Sequence, residues 1–243
     1  MKRIIYSFVS VCLLLSSCSM DETPQASVDK DTVFRTEKGL ETYSYSFYNM
    51  LPSVSDGFRQ DAMCDYGAVT SFDNFIREGA YSAELSSGWS WSDLRNINYF
   101  IENCTNEAVD ESVRNNYIGL ARFFRAYEYY RLVMTFGDVP YWDAPVDETD
   151  LASMYKDRDP RSTVTDAIYN DLKYALENVR TNDGTMNINR YVVAAVASNI
   201  MLFEGTWQHY HKGNALEASS KLSDENAKKY LQFCIEASEI VMN

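Results

Sequence analysis

GLARFFRAYEYYRLVMTFGDVPYWDAPV, residues 119–146, decides how this chain is read. Leu120, Phe123, Phe124, Tyr127, Tyr130, Val133, Met134 and Phe136 recur at steps of three and four, the spacing of one face of an α-helix. Arg122, Arg125, Glu128 and Arg131 fill the other side. Gly137 stands where a helix ends in a left-handed residue, and Pro140 keeps the following chain extended. The expectation is a core helix with a rigid exit that displays Tyr141 and Trp142 just beyond its end.

Helical spacing continues on both sides of this segment. Upstream, Thr36 is placed to cap a helix whose Leu40, Tyr43, Phe47 and Met50 share a face before Pro52 stops it. The stretch 53–88 has no sustained period and carries Gly57, Gly67, Gly79 and Gly88. Its Phe58, Tyr66, Phe72, Phe75 and Tyr81 favour an ordered functional loop over disorder. Residues 89–103 resume a helix through Leu94, Ile97, Phe100 and Ile101, capped by Ser90 or Ser92, and Ser112 opens the long helix.

Downstream, Asp159-Pro160-Arg161 introduces a helix with Thr163 and Asp166 spaced as a capping box and a stripe of Val164, Ile168, Leu172, Ala175, Leu176 and Val179. Asn182-Asp183-Gly184 is a turn. Asn189 opens a helix rich in small residues (Ala194, Ala195, Ala197, Ser198) that ends near Gly205. Ser223 caps a last helix with Ala227, Tyr230, Leu231, Cys234, Ile235, Ser238 and Val241 along one side. Consecutive helices are expected to pair, 90–104 with 112–136 and 163–180 with 189–205, leaving the last as half of a third pair.

The 243 residues, 46% of them hydrophobic, are enough for a sizeable core. A net charge of −13 argues against nucleic acid or anionic lipid as a direct partner. Cys64, Cys104 and Cys234 are too few and too scattered for a zinc site, and buried free thiols are the expectation, with one disulfide among them as the alternative. Residues 1–17 have the form of an export leader: Lys2 and Arg3, a short apolar run, then small residues. That run is too short to remain as a membrane-spanning helix. Residues 18–33 are a polar tether, and 34–243 form the folded domain.

Several segments resemble one family in the expected order. ARFFRAYEYYRLVMTFGDVPYW is similar to the most recognisable segment of the SusD/RagB family of outer-membrane nutrient-binding lipoproteins. WSDLRNINYFIEN resembles another of its helices, with Arg95 where tyrosine is common, and DPRSTVTDAIYNDLKYALENV resembles a third. Leu15-Ser16-Ser17-Cys18 resembles a lipobox, which implies lipidation of Cys18, and Asp21 and Glu22 resemble the acidic export signal of surface lipoproteins.

The resemblance implies an all-α fold of tetratricopeptide-like helix pairs with long irregular loops. It also implies a lipid-anchored outer-membrane protein facing the cell exterior, which captures a glycan or other nutrient for a SusC-like TonB-dependent transporter. The family continues past the last helix here, so the resemblance further implies a fragment.

No nucleophile elbow, phosphate loop, HExxH motif or dinucleotide fingerprint is present, so a cofactor-free, non-enzymatic function is expected. His209-Tyr210-His211 would put two imidazoles on one side of a strand, but without a third metal ligand it reads as a solvated loop. Trp89-Ser90-Trp91 is the strongest chemical signal. Indoles two residues apart point the same way on an extended approach, and a flat indole suits the C–H face of a sugar. Core packing is the alternative for both. Asp73, Asn74 and Arg77 are candidates to hydrogen-bond hydroxyls, with Trp207 and Tyr210 as weaker loop candidates. Two other functions stay open: a helical scaffold lipoprotein that holds proteins without glycan, and a surface glycosidase.

Overall fold

Hydrogen bonds meet three of the expected helix starts. The Thr36 hydroxyl accepts from the Gly39 amide at 3.1 Å, and the Ser223 hydroxyl from the Asn226 amide at 3.1 Å. The Asn189 side chain accepts from the amides of both Tyr191 and Val192. Gly137 closes the long helix at φ 74°, a conformation that glycine adopts without strain.

The computed structural model describes residues 30–243 apart from 62, 65, 66, 68, 69, 71–75, 81–87, 148, 183, 185 and 215–219, and apart from the side chains of 30, 31 and 58–60. The leader, Cys18, Asp73 and Asn74 lie outside the described residues. The helices are α1 Lys30–Phe34, α2 Glu37–Ser44 with a 3-10 extension Tyr45–Met50, α3 Val54–Asp61, α4 Ser92–Asn103 and α5 Glu111–Phe136. They continue with α6 Leu151–Met154, α7 Arg161–Asn178, α8 Arg190–His211 and α9 Asp224–Met242. No strand occurs among the described residues beyond an isolated bridge between Val139 and Asp159. The fold is all-α, of the tetratricopeptide-like type. No described helix is long and apolar enough to cross a membrane.

Several details differ from the sequence-based expectations. Residues 30–33 of the expected tether are helical, and α3 occupies part of the stretch read as irregular. The most extensive pairs are α5 with α7 and α8 with α9, while α4–α5 and α7–α8 are lesser contacts. The twelve residues of α4 are too short to cover the 26 of α5. The last helix is therefore the full partner of α8. Its buried residues are Ala227, Tyr230, Phe233 and Ala237, whereas Ile235 and Val241 are 54% and 46% exposed.

α8 does not stop at Gly205. A Cβ at that position would lie 2.7 Å from Leu231 Cγ and 3.2 Å from the Ala227 carbonyl oxygen. Gly205 marks the close approach of α9, not a helix end. Residues 207–211 are consequently helical, which turns His209 and His211 about 200° apart. α7 also begins without its expected capping box. Its first amide is capped by Asp138 Oδ1 at 2.8 Å, and Asp166 instead accepts from Tyr230 and Lys229, at 2.6 Å each.

The largest departure is on α5, where two residues of the expected polar side, Arg125 and Glu128, are inside, while Arg122 is half-buried and Arg131 exposed. Arg125 is 4% and Glu128 8% exposed, because α4, α7 and the chain after Gly137 all pack round the helix. Arg125 donates through Nε and Nη2 to both oxygens of Asp171, each at 2.7 Å. Burial acts to lower the guanidinium's pKa, but the hydrogen bonds to Asp171 and the charge of Asp171 together outweigh this and raise it, so Arg125 stays charged. Arg161 makes the equivalent fork onto Glu204, at 3.0 and 2.6 Å, joining α7 to α8.

The remaining bonds of the Arg125 group hold the chain after α5. Arg125 Nη1 donates to Asn98 Oδ1 and the Asp143 carbonyl, and Asn98 Nδ2 donates to the carbonyls of Trp142 and Ala144. The Tyr129 hydroxyl accepts from the Trp142 amide at 2.7 Å. Tyr141, expected on display, packs its ring 4.8 Å from that of Tyr129. Both Tyr141 and Trp142 fold back and are half-buried.

Removing one partner of such a pair leaves an uncompensated buried charge, which costs about 3–5 kcal/mol. Asp171→Ala is therefore expected to lower the melting temperature by roughly 10 °C or more, measured by circular dichroism. Melting within about 2 °C of the parent would show that Arg125 finds compensation elsewhere.

Candidate functional site

The clamped loop brings Trp142 to Trp91, at the start of α4. Their ring centroids are 5.6 Å apart with planes at 86°. Each indole N–H is satisfied by a backbone carbonyl: Trp91 donates to Pro140 at 3.3 Å and Trp142 to Ser153 at 3.1 Å. The rings are thereby fixed in orientation. Ser153 belongs to α6, a single turn capped by Asp150, which accepts from the Ser153 amide at 3.1 Å.

Between these elements lies a cavity of about 300 Å³, lined among the described residues by Trp91, Ser92, Arg95, Trp142, Val146 and Met154. Two indoles with Val146 and Met154 form apolar walls. Ser92 supplies a hydroxyl that both donates and accepts, and Arg95 supplies donors. The volume is at the lower end for small-molecule sites, enough for one or two sugar rings. Arg95, a departure from the resembled pattern, is a wall of this cavity.

The residues expected at a site are only partly brought together. Trp91 is in the cavity wall. Trp89 does not line it: this ring is 45% exposed and meets Trp91 at 4.6 Å and Phe136 at 4.9 Å, both edge-to-face. The Arg158 guanidinium carbon sits 4.7 Å from its centroid, a cation–π contact. Arg77 is exposed in the turn at 76–79 and lines no cavity described here. Asp73 and Asn74 lie outside the described residues.

The two weaker candidates separate. Trp207 stacks on His211 at 3.8 Å and lies under Arg161 at 4.2 Å, so its ring is engaged by the protein. Tyr210 is exposed on the last turn of α8. Sequence reading gave Trp142 only as a displayed ring and Ser92 only as a helix cap, and it passed over Val146 and Met154. Their proximity depends on the clamp that returns the loop, and no local pattern reports that.

A family model described as "Starch-binding associating with outer membrane", SusD-like, matches residues 41–242. Two relatives are SusD-like proteins of Formosa agariphila. P25 is 22% identical over 84% of this chain and 43% of its own length, and P2 is 25% identical over 86% and 44%. The chain thus spans less than half the length of these curated relatives. Among solved structures, B. fragilis NanU aligns with a TM-score of 0.58 at 19% identity, over 88% of this chain and 44% of that one. A SusD-like protein from Bacteroides fragilis NCTC 9343 aligns with a TM-score of 0.56 at 16% identity, over 85% and 39%. These structures share the fold. With the family model covering most of its length, the chain belongs to the SusD-like family.

Proposed function

We propose that this chain is a cell-surface lipoprotein that captures a glycan and passes it, without turnover, to a SusC-like TonB-dependent transporter. The cavity between Trp91 and Trp142 is the observation that carries the capture step. Its fixed indoles offer apolar faces to the C–H face of a pyranose, while Ser92 and Arg95 meet hydroxyls. Trp89, at the edge of Trp91, extends the aromatic surface toward solvent. Asp73, Asn74 and Arg77, which precede this aromatic pair in the chain, are proposed as additional hydroxyl partners. The family description supports glycan as the ligand class.

Glycan-array screening followed by calorimetry tests capture. Removing a stacked aromatic costs about 1–3 kcal/mol, so Trp91→Ala is expected to weaken binding about tenfold or more. Arg95→Gln, on an exposed side chain, is expected to weaken binding with unchanged melting. Binding unaffected by both substitutions would remove the cavity from the proposal, and a parent chain that binds no glycan would overturn capture itself.

Lipidation is proposed at Cys18, where Leu15-Ser16-Ser17 precede the cysteine. Multiple acyl chains would anchor the chain stably, so Cys18→Ala should move it from the membrane to the soluble fraction. Retention of Cys18→Ala in the membrane would contradict an acyl anchor.

Hand-off requires a partner barrel. Affinity purification from native outer membranes in mild detergent is expected to recover a large barrel protein. Its absence would count against hand-off, and a barrel recovered with a chain that binds no glycan would favour the scaffold function.

A further inference from the structure

A second cavity, of about 510 Å³, lies beside the same first turn of α4. Ser92 and Arg95 face the indole cavity, whereas Asp93, about 100° further round the helix from Ser92, faces this one. The opposite wall is one face of α5, with Tyr127, Arg131 and Met134 at steps of four and three. Asn49 and Met50, at the end of the 3-10 turn, and Met63 contribute further walls.

We propose that this cavity is a separate binding site for an uncharged sugar ring. Its chemistry matches a pyranose on three counts. A sugar hydroxyl is donor and acceptor together, and here an acceptor-only carboxylate (Asp93) accompanies a donor-only guanidinium (Arg131), with the Asn49 amide and Tyr127 hydroxyl able to do both. The guanidinium is held in place by Glu128 at 2.9 Å, on the same helix. Burial raises the pKa of the Glu128 carboxyl, with Arg131 working against this and Asp93 adding to it.

The thioethers of Met63 and Met134, both partly exposed, give a deformable apolar surface for the C–H face of a ring. The charge balance selects against an acidic sugar. Asp56 and Asp93 both line the cavity, and Arg131, its one cation among the described lining residues, is already paired with Glu128. Asp56 is in turn fixed by accepting from the Ser53 amide and hydroxyl at 2.8 and 2.7 Å. The ligand class rests on the glycan-binding function proposed above; the site itself does not share a lining residue with the indole cavity.

Methionine placement makes the two sites separable in one experiment. Met154 reports on the indole cavity, and Met50, Met63 and Met134 on the second. The full chain, labelled with 13C at methionine methyl groups and held in a zwitterionic detergent without sugar headgroups, is titrated with maltose, cellobiose, xylobiose, mannobiose and galacturonic acid dimer. At least one neutral disaccharide is expected to shift Met134 and Met63, and the acidic dimer is expected to leave them in place. Asp93→Asn should raise the dissociation constant read at Met134 tenfold or more without altering the Met154 titration or the melting temperature.

Shifts at Met154 alone overturn the second site and leave the indole cavity standing. Shifts at Met63 and Met134 alone do the reverse. No shift at any of these methionines with any of the sugars counts against both. An equal response to galacturonic acid dimer overturns the selectivity, and an unchanged constant in Asp93→Asn overturns the assigned contact.

Discussion

A guanidinium buried in the middle of the longest helix has to be paired, and most of this structure follows from how Arg125 is paired. Asp171 takes two of its donors and thereby fixes α7 along α5. Its Nη1 donors reach Asn98 on α4 and the carbonyl of Asp143 beyond the helix end. One side chain therefore ties together three helices and a loop. Apolar residues of similar volume often serve stability as well as a buried ion pair does, so the clearest contribution of this one is to geometry. The Arg161–Glu204 fork repeats the arrangement one step along, between α7 and α8.

The indole cavity is a consequence of that arrangement. The bonds from Arg125, Asn98 and Tyr129, with that from Trp91 to the Pro140 carbonyl, direct Trp142 back toward α4. With them, Trp142 meets Trp91 edge-to-face, and both ring N–H groups are used internally. What is left for a ligand is apolar surface of fixed shape, with Ser92 and Arg95 at hand. Rigid aromatic walls lose little freedom on binding, which favours recognition by shape. The first turn of α4 is placed between this cavity and the one walled by Tyr127 and Arg131, so a short helix serves two chemically different surfaces.

The α8–α9 pair follows a different rule. Polar forks hold α5, α7 and α8, but α8 and α9 approach through small residues, including Ala194, Ala197, Ala227 and Ala237. Gly205 is where that approach is tightest. Close backbones let the two helices pack along most of their length, and the helix continues through the glycine because the contact offsets its poor helical propensity.

The sequence by itself determined α2, α4, α5, α7, α8 and α9, the caps at Thr36, Asn189 and Ser223 and the buried stripe of α7, but not the short helices α1, α3 and α6. Those features rest on local chemistry: caps, apolar spacing and the positive φ at Gly137 are set by neighbours in the chain. Residues 119–146 and the segments that resemble the SusD/RagB family also identified the family before any coordinates. Tertiary structure decided what spacing cannot express. Arg125 and Glu128 looked like a solvent face because charge usually means exposure, yet a partner 46 residues away makes burial of Arg125 possible. Gly205 looked like a stop, Asp166 like a cap and Trp142 like a displayed ring, and each was reassigned by a residue from another element. Which helices pair and which walls face a ligand depend on contacts between segments distant in sequence, and only the folded chain contains them.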